Sequence, residues 1–306
     1  MQYWIAMNFL HDIMIPLKVD ITKYPNLKVK GIKTDSNEVT KGDIFVAIQG
    51  NKYDGHDYIS QAVKSGACAI ITDSQSSKLN HQHQIKVENS RIAISSIAAN
   101  FYNNPSKRLK VIGITGTNGK TTTAWLITSI LKEAGLKVAQ IGTLGIITDK
   151  TITKKGLTTP DPITLHKTFS MLEKNKFTHV IMEVSSHALD QHRVDDVDFD
   201  LAIFTNLTQD HLDYHKSMKS YYLAKSKLFK SLSPKAISII NNSSEYSEKF
   251  KKASNCNVVT YSKTEKSDFY FDNKLSSTLD GITGQISFKS TKYKNKSKLV
   301  GDFNCE

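Results

Sequence analysis

A chain of 306 residues is long enough for two domains, each with a core of its own. Its apolar content of 39% is that of a soluble enzyme, and no apolar run reaches the length that crosses a bilayer, so membrane insertion is not expected. The net charge of +12 invites a nucleic-acid reading, but of the 41 basic residues only Arg91, Arg108 and Arg193 are arginines. Base readout favours arginine forks, no basic stripe interleaved with aromatics appears, and the lysines are scattered, so no nucleic-acid partner is expected.

The start, Met1 to Leu17, is apolar but lacks a basic leader and carries His11 and Asp12, so a secretory signal is not expected. Residues 1 to 105 read as one α/β unit. Asp43 to Ile48 forms a buried strand, followed by a polar loop from Gly50 to Gly55, a helix from about Asp57 to Ser65 and a strand at Ala69–Thr72. A helix from Ser95 to Tyr102 ends at Asn103-Asn-Pro105, which sets the boundary.

A second unit, 106 to 306, carries strands at Val111–Thr115, Val138–Ile141, His179–Val184, Leu201–Thr205 and Ala236–Ile240, with helices at about 121–134, 163–174 and 217–231. Strands alternating with helices predict a mostly parallel sheet covered on both faces. Residues 266 to 300 change to short alternating runs with a turn at Asp280-Gly281, and read as a small antiparallel appendage. Cys68, Cys256 and Cys305 are odd in number and lack metal-ligand spacing, which points to reduced thiols in a cytoplasmic protein.

The chemistry concentrates in Gly113-Ile-Thr-Gly-Thr-Asn-Gly-Lys-Thr-Thr-Thr123, which follows an apolar strand and opens a helix. That order suits a phosphate-binding loop for ATP or GTP. Backbone N–H groups close around phosphate oxygens at a helix N-terminus, Lys120 reaches the terminal phosphates, and the Thr121 hydroxyl can ligate Mg²⁺. Ile114 stands where the common pattern has its first glycine, so a glycine-rich turn joining strand to helix is the competing reading. Glu183, at the end of an apolar strand, suits a second Mg²⁺ ligand or a plain surface carboxylate. Asn206 to His215 crowds amide, carboxylate and imidazole groups at another strand end. Capping by Asn206 or Asp210 explains part of it, and a metal or phosphate role explains His211 and His215 better. Thr158-Thr-Pro-Asp-Pro162 is ordinary helix-start chemistry, and Lys225 taken alone is a solvated helix charge.

Together these stretches resemble the Mur ligases, the enzymes that build the peptide of bacterial cell-wall precursors, and among them the branch that adds the third residue. The resemblance rests on Asp35-Ser36, Gly42-Asp-Ile-Phe-Val-Ala47, Gly116-Thr-Asn-Gly-Lys-Thr-Thr122, Thr158-Thr-Pro-Asp161, Met182-Glu-Val-Ser-Ser-His-Ala-Leu189 and Thr205-Asn-Leu-Thr-Gln-Asp-His-Leu-Asp-Tyr-His215. The family's phosphate loop also lacks the distant first glycine. A folate-polyglutamate ligase, with a related phosphate loop, is disfavoured by the match over the N-terminal unit.

The resemblance implies an N-terminal UDP-MurNAc-binding α/β domain and a central P-loop ATPase domain, with ATP and Mg²⁺ as cofactors. Its substrates would be UDP-N-acetylmuramoyl-L-alanyl-D-glutamate and an amino acid, meso-diaminopimelate. Gly116, Thr117, Asn118, Gly119, Lys120, Thr121 and Thr122 would hold the ATP phosphates, with Thr121 and Glu183 on one Mg²⁺ and His211 on a second. Lys225 aligns with the family's carbamylated, metal-linked lysine. Thr158, Thr159, Ser185, Gln191 and Arg193 match residues that hold the muramoyl dipeptide. Ser36 and the loop from Asn51 to Tyr53 match the uridine-diphosphate site, with departures at Asn51 and Lys52. The implied reaction runs through an acyl phosphate.

The family has a third, Rossmann-like domain whose Asp-Asn-Pro-Arg segment grips diaminopimelate. This sequence stops at Val300-Gly-Asp-Phe-Asn-Cys-Glu306, where the family enters that domain. The expectation is a fragment or a truncated gene product. It would be either a ligase, whole in the organism or completed by a separate chain, or a non-catalytic remnant that binds ATP and the UDP-linked precursor.

Overall fold

The computed structural model describes residues 8–50, 52–73, 84–149, 153, 156–263, 267–288 and 291–299. The chain divides into two compact units. The first holds residues 1–108 together with the returning segments Pro160–Asn175 and Gln191–Val197, and the second holds the remainder.

The first unit is built on a parallel sheet of β1 (Gly31–Lys33), β2 (Asp43–Val46), β3 (Ala69–Thr72) and β4 (Gln84–Lys86), in that spatial order. The N-terminal part of the unit carries the short helices α1 (Leu10–Met14) and α2 (Ile59–Lys64) and the longer α3 (Ser90–Phe101). Both faces of the sheet are covered, which is why its strands read as unbroken apolar runs. Ile44, Val46, Ala69 and Ile71 turn toward α1 and α3, while Phe45, Ala47 and Ile70 turn toward α2. Helix α3 starts five residues before the expected Ser95, because Asn89 Oδ1 accepts the Ile92 N–H and caps it there. Among the returning segments, helix α5 (Pro162–Lys174) is capped by Asp161, and Ile163 packs into the first unit's core.

Among the described residues the second unit holds a ten-stranded sheet. Its strands in chain order are β5 (Lys110–Thr115), β6 (Val138–Gly142), β7 (Gly145–Ile147), β8 (His179–Glu183), β9 (Leu201–Phe204), β10 (Ile237–Asn241), β11 (Asn257–Ser262), β12 (Phe269–Thr278), β13 (Gly281–Phe288) and β14 (Thr291–Ser297). In space they run β14-β13-β12-β11-β10-β9-β5-β8-β6-β7, and the central strands are parallel. Between them lie α4 (Lys120–Glu133), α6 (Ser186–Asp190), α7 (Leu212–His215), α8 (Met218–Lys230) and α9 (Ser247–Ala253). Ile114, Ala124, Val138, Ile181 and Ile203 form the core beneath α4.

The second unit departs from expectation, since β7, β11, α6, α7 and α9 are not among the expected elements. Strand β7, antiparallel to β6, is too short to show a period. The antiparallel β12–β14 set is no separate appendage, since Tyr261 and Ser262 pair in parallel with Phe269 and Tyr270 and make the sheet continuous. Residues 266 and 300, the ends of the expected segment, lie outside the described residues, as do Asn51, Cys305 and the closing Val300–Glu306 stretch. Among the described residues no helix is long and apolar enough to cross a membrane.

Candidate functional site

In an open parallel sheet, ligands gather beyond the carboxyl ends of the strands. In the second unit the ends of β5, β6, β8 and β9 meet at one cavity of about 370 Å³. Residues 117–122, Thr143, Thr158, Glu183, Ser185, Ser186, His211 and Lys225 line it.

The glycine loop of residues 116–119 is braced by its neighbours. Gly116 lies so close to the β9 end that a Cβ there would sit 1.9 Å from Thr205 Oγ1. Thr117 N–H donates to the Asn206 carbonyl and Asn118 N–H to Asn206 Oδ1, both at 2.9 Å, while Thr205 Oγ1 donates to the Asn118 carbonyl at 2.7 Å. Thr208 N–H donates to Thr117 Oγ1 at 3.0 Å. The run after β9 is therefore a brace for the loop, and Asn206 caps no helix. Gly119, at φ +83°, turns the chain into α4.

Two lysines converge on one carbonyl. Lys120 Nζ donates to Gly116 O at 2.9 Å and to Thr117 O at 2.8 Å, and Lys225 Nζ donates to Gly116 O at 2.8 Å. Lys225 is 1% exposed, with Nζ 4.7 Å from the centre of the Tyr221 ring. The solvated-charge reading of Lys225 is thus overturned: α8 turns this position inward. Burial pushes its amine well below the ordinary lysine value, and the nearby Lys120 adds to the effect while Asp210 opposes it. Burial also lowers Lys120, against the pull of Glu183 and Asp210.

Glu183 is fully buried at the end of β8. Thr121 Oγ1 donates to its Oε2 at 2.9 Å, and Thr143 donates from its N–H to Oε1 at 3.1 Å and from its hydroxyl to Oε2 at 3.2 Å. Hydroxyl and carboxylate oxygens facing one polar cavity make a hard donor set that suits Mg²⁺, an ion that takes one or two carboxylates and fills its shell with phosphate oxygens and water. Among the described residues no three His, Cys, Asp or Glu side chains are grouped to share a metal.

His211 forms another part of the wall. Its backbone is left-handed (φ +52°), its N–H donates to Asp210 Oδ1, and its ring meets His187 edge-on at 5.1 Å. His215 is buried, with Nε2 2.9 Å from Ser186 Oγ. Burial first, and then the neighbouring His187, hold it below the ordinary histidine range.

The remaining expected residues divide. Thr158 lines the cavity with its Oγ1 3.2 Å from Thr143 Oγ1. Thr159 is buried behind it, donating to the Glu183 carbonyl and accepting the Ser185 N–H, and Ser185 Oγ accepts the Ala188 N–H at the start of α6. Gln191 and Arg193 belong to the first unit, where Arg193 Nη2 donates to Gln191 Oε1 at 2.6 Å. Ser36 lines a different cavity, of about 540 Å³ in the first unit, beside Asp35, Asn37, Tyr53, Gly55 and Tyr58, and donates to Gln61 Oε1 at 3.0 Å. Sequence reasoning missed Thr143. The available signal was Gly142-Thr143 directly after an apolar strand, the same strand-end placement that drew attention to Glu183.

Comparison with known proteins bears on this arrangement. The family model of the Mur ligase middle domain matches residues 114–306, and that of the Mur ligase family catalytic domain matches residues 28–116. A UDP-N-acetylmuramoyl-L-alanyl-D-glutamate–2,6-diaminopimelate ligase from Aquifex aeolicus is 43% identical over 91% of this chain and 56% of its own length. The ligase of the same name from Caldanaerobacter subterraneus subsp. tengcongensis is 38% identical over 96% of the chain and 61% of its own length. A solved structure of a ligase of that name superimposes with a TM-score of 0.84 at 26% identity, covering 97% of this chain and 61% of that one. The chain spans about three-fifths of the length of these relatives.

Proposed function

The chain belongs to the Mur ligase family, and from that premise we propose that it serves ATP-dependent addition of a third amino acid, meso-diaminopimelate, to UDP-N-acetylmuramoyl-L-alanyl-D-glutamate in cytoplasmic peptidoglycan precursor synthesis. The observation that carries the proposal is the single cavity where the phosphate loop, the Thr121–Glu183 pair, Lys225 and Thr158 meet.

An amide does not form from a free carboxylate and an amine near neutral pH unless the carboxylate is activated. In the proposed reaction the D-glutamate carboxylate takes the γ-phosphoryl group of ATP, releasing ADP and giving an acyl phosphate. The amine of the incoming amino acid then attacks the acyl carbon, expels phosphate and loses a proton. Residues 116–122 hold the ATP phosphates chiefly through the N–H groups of residues 119–122 at the α4 N-terminus, those of Thr117 and Asn118 being bonded to Asn206. Lys120 leaves its loop carbonyls to screen the repulsion between the two anions. Thr121 and Glu183 would hold one Mg²⁺, and His211 with carbamylated Lys225 a second. When bound, magnesium neutralises charge on the phosphoryl oxygens. The depressed Lys225 amine suits carbamylation, because only the neutral amine attacks carbon dioxide.

We assign residues 1–105, with the returning segments Pro160–Asn175 and Gln191–Val197, to the UDP-linked precursor through the cavity at Ser36, and the rest of 106–306 to ATP. We further assign Thr158, Thr159, Ser185, Gln191 and Arg193 to the muramoyl dipeptide on the strength of the family resemblance.

The test is phosphate release by the purified chain with ATP, Mg²⁺ and the UDP-linked dipeptide, with and without meso-diaminopimelate. Release that needs both substrates, with a UDP-linked tripeptide seen by mass, is the expected result. Binding of ADP and precursor without turnover would favour the binding-only reading. Failure to bind ADP at all would refute the assignment of the cavity.

A further inference from the structure

The end of β6 holds a grip on Glu183 that the proposed reaction does not yet use. Glu183 is buried at the floor of the cavity, so its orientation depends chiefly on the donors around it. Thr143 supplies donors to both of its oxygens, the backbone N–H to Oε1 and the hydroxyl to Oε2. Two bonds from one residue to the two oxygens set the plane of the carboxylate as well as its position.

Gly142 makes the grip possible. A Cβ at that position would lie 2.1 Å from Glu183 Oε1 and 2.7 Å from its Cδ, so only glycine lets the strand end approach this closely. The Thr143 hydroxyl carries a single hydrogen. With that hydrogen on Glu183, its lone pairs remain to accept from Thr158 Oγ1 at 3.2 Å. The hydroxyls therefore run in one direction, Thr158 to Thr143 to Glu183, from the side of the cavity assigned to the acceptor substrate to the side assigned to the cation.

We propose that Thr143 is a positioning residue: with Gly142 it clamps Glu183 in the orientation that accepts a divalent cation beside Thr121. The inference rests on the functional reading above, in which Thr121 and Glu183 form a cation site beside the ATP phosphates.

The experiment is ADP binding to the whole chain by calorimetry, repeated without metal and across a Mg²⁺ titration. In Thr143→Val, which keeps the shape and the backbone N–H but lacks the hydroxyl, the Mg²⁺ concentration giving half of the full enhancement rises about tenfold, the size expected for losing a hydrogen bond to a charged group. Metal-free ADP binding stays unchanged. Thr143→Ser, which restores the hydroxyl, returns the midpoint to near the wild-type value. Gly142→Ala, which drives a methyl group into Glu183 from the backbone side, raises the midpoint by a second route if the valine variant fails to fold. Wild-type midpoints in both the valine and alanine variants, or no rescue by serine, would overturn the clamp. A wild-type chain that binds ADP with no response to Mg²⁺ would instead sink the cation site itself, a distinguishable failure.

Discussion

Acidification is expected to weaken the first unit through one residue, His166 on α5. Its ring is fully buried beside Phe169, at 6.1 Å between ring centres, and neither ring nitrogen has a hydrogen-bond partner among the described residues. Burial disfavours the imidazolium and brings its pKa down to about 4, against 6.5 for a free histidine. The folded chain thus resists a proton that the unfolded chain takes up readily. The stability this contributes is complete above the unfolded value and is lost as the pH falls from 6.5 toward 4. A shift of that size corresponds to about 3.4 kcal/mol in full, of which about 2 kcal/mol is gone by about pH 5.

The assay is urea unfolding at about pH 7.5 and about pH 5 for the wild type and for His166→Leu, a change of similar volume that cannot titrate. The wild type should lose about 2 kcal/mol more than the variant between the two conditions. At the higher pH the variant should be no less stable, since leucine leaves no unpaired ring nitrogen in the core. Equal losses in the two proteins, or a His166 ring that titrates near the free value by NMR, would refute the argument.

Two further outcomes test the framework of the units. Asn89→Ala removes the side-chain acceptor that starts α3 and should cost about 1 kcal/mol in urea unfolding, while Asn89→Ser should recover most of it. Gly116→Ala places a methyl group against Thr205 Oγ1 and within 3.0 Å of the Asn206 carbonyl oxygen, which forces the phosphate loop off its brace. With overpacking of this kind costing about 1–3 kcal/mol, ADP affinity by calorimetry should fall roughly ten- to a hundredfold, and unchanged affinity would mean that the brace does not shape the loop.

What could be read without the fold was whatever depends on neighbours in the chain. The strand, glycine loop and helix around Lys120 are local, because a phosphate loop needs its glycines, its lysine and its helix N-terminus in one continuous run. The parallel core strands were readable as apolar runs because helices cover both faces of each sheet. Helix α5 announced itself through Asp161 at its cap and Pro162 in its first turn. The start of α3 was less legible, since Asn89 sits in a polar stretch where a cap looks like a loop residue.

What only the tertiary structure decided is which side chains share a volume. Lys225 lies 109 positions from the Gly116 carbonyl it meets; Tyr221, Leu228 and Phe229 at helical spacing put it on the buried face of α8, but only the fold supplies its partner there. Thr143 directly follows β6 and Glu183 ends β8, neighbouring strands in the sheet, but the two residues are 40 apart in the chain. The same holds for the β12–β14 strands, whose antiparallel pattern is local but whose union with the main sheet depends on one parallel pairing to β11. Local pattern carries the element and its cap. Strand order, a long-range property set by which apolar faces cover one another, carries the site.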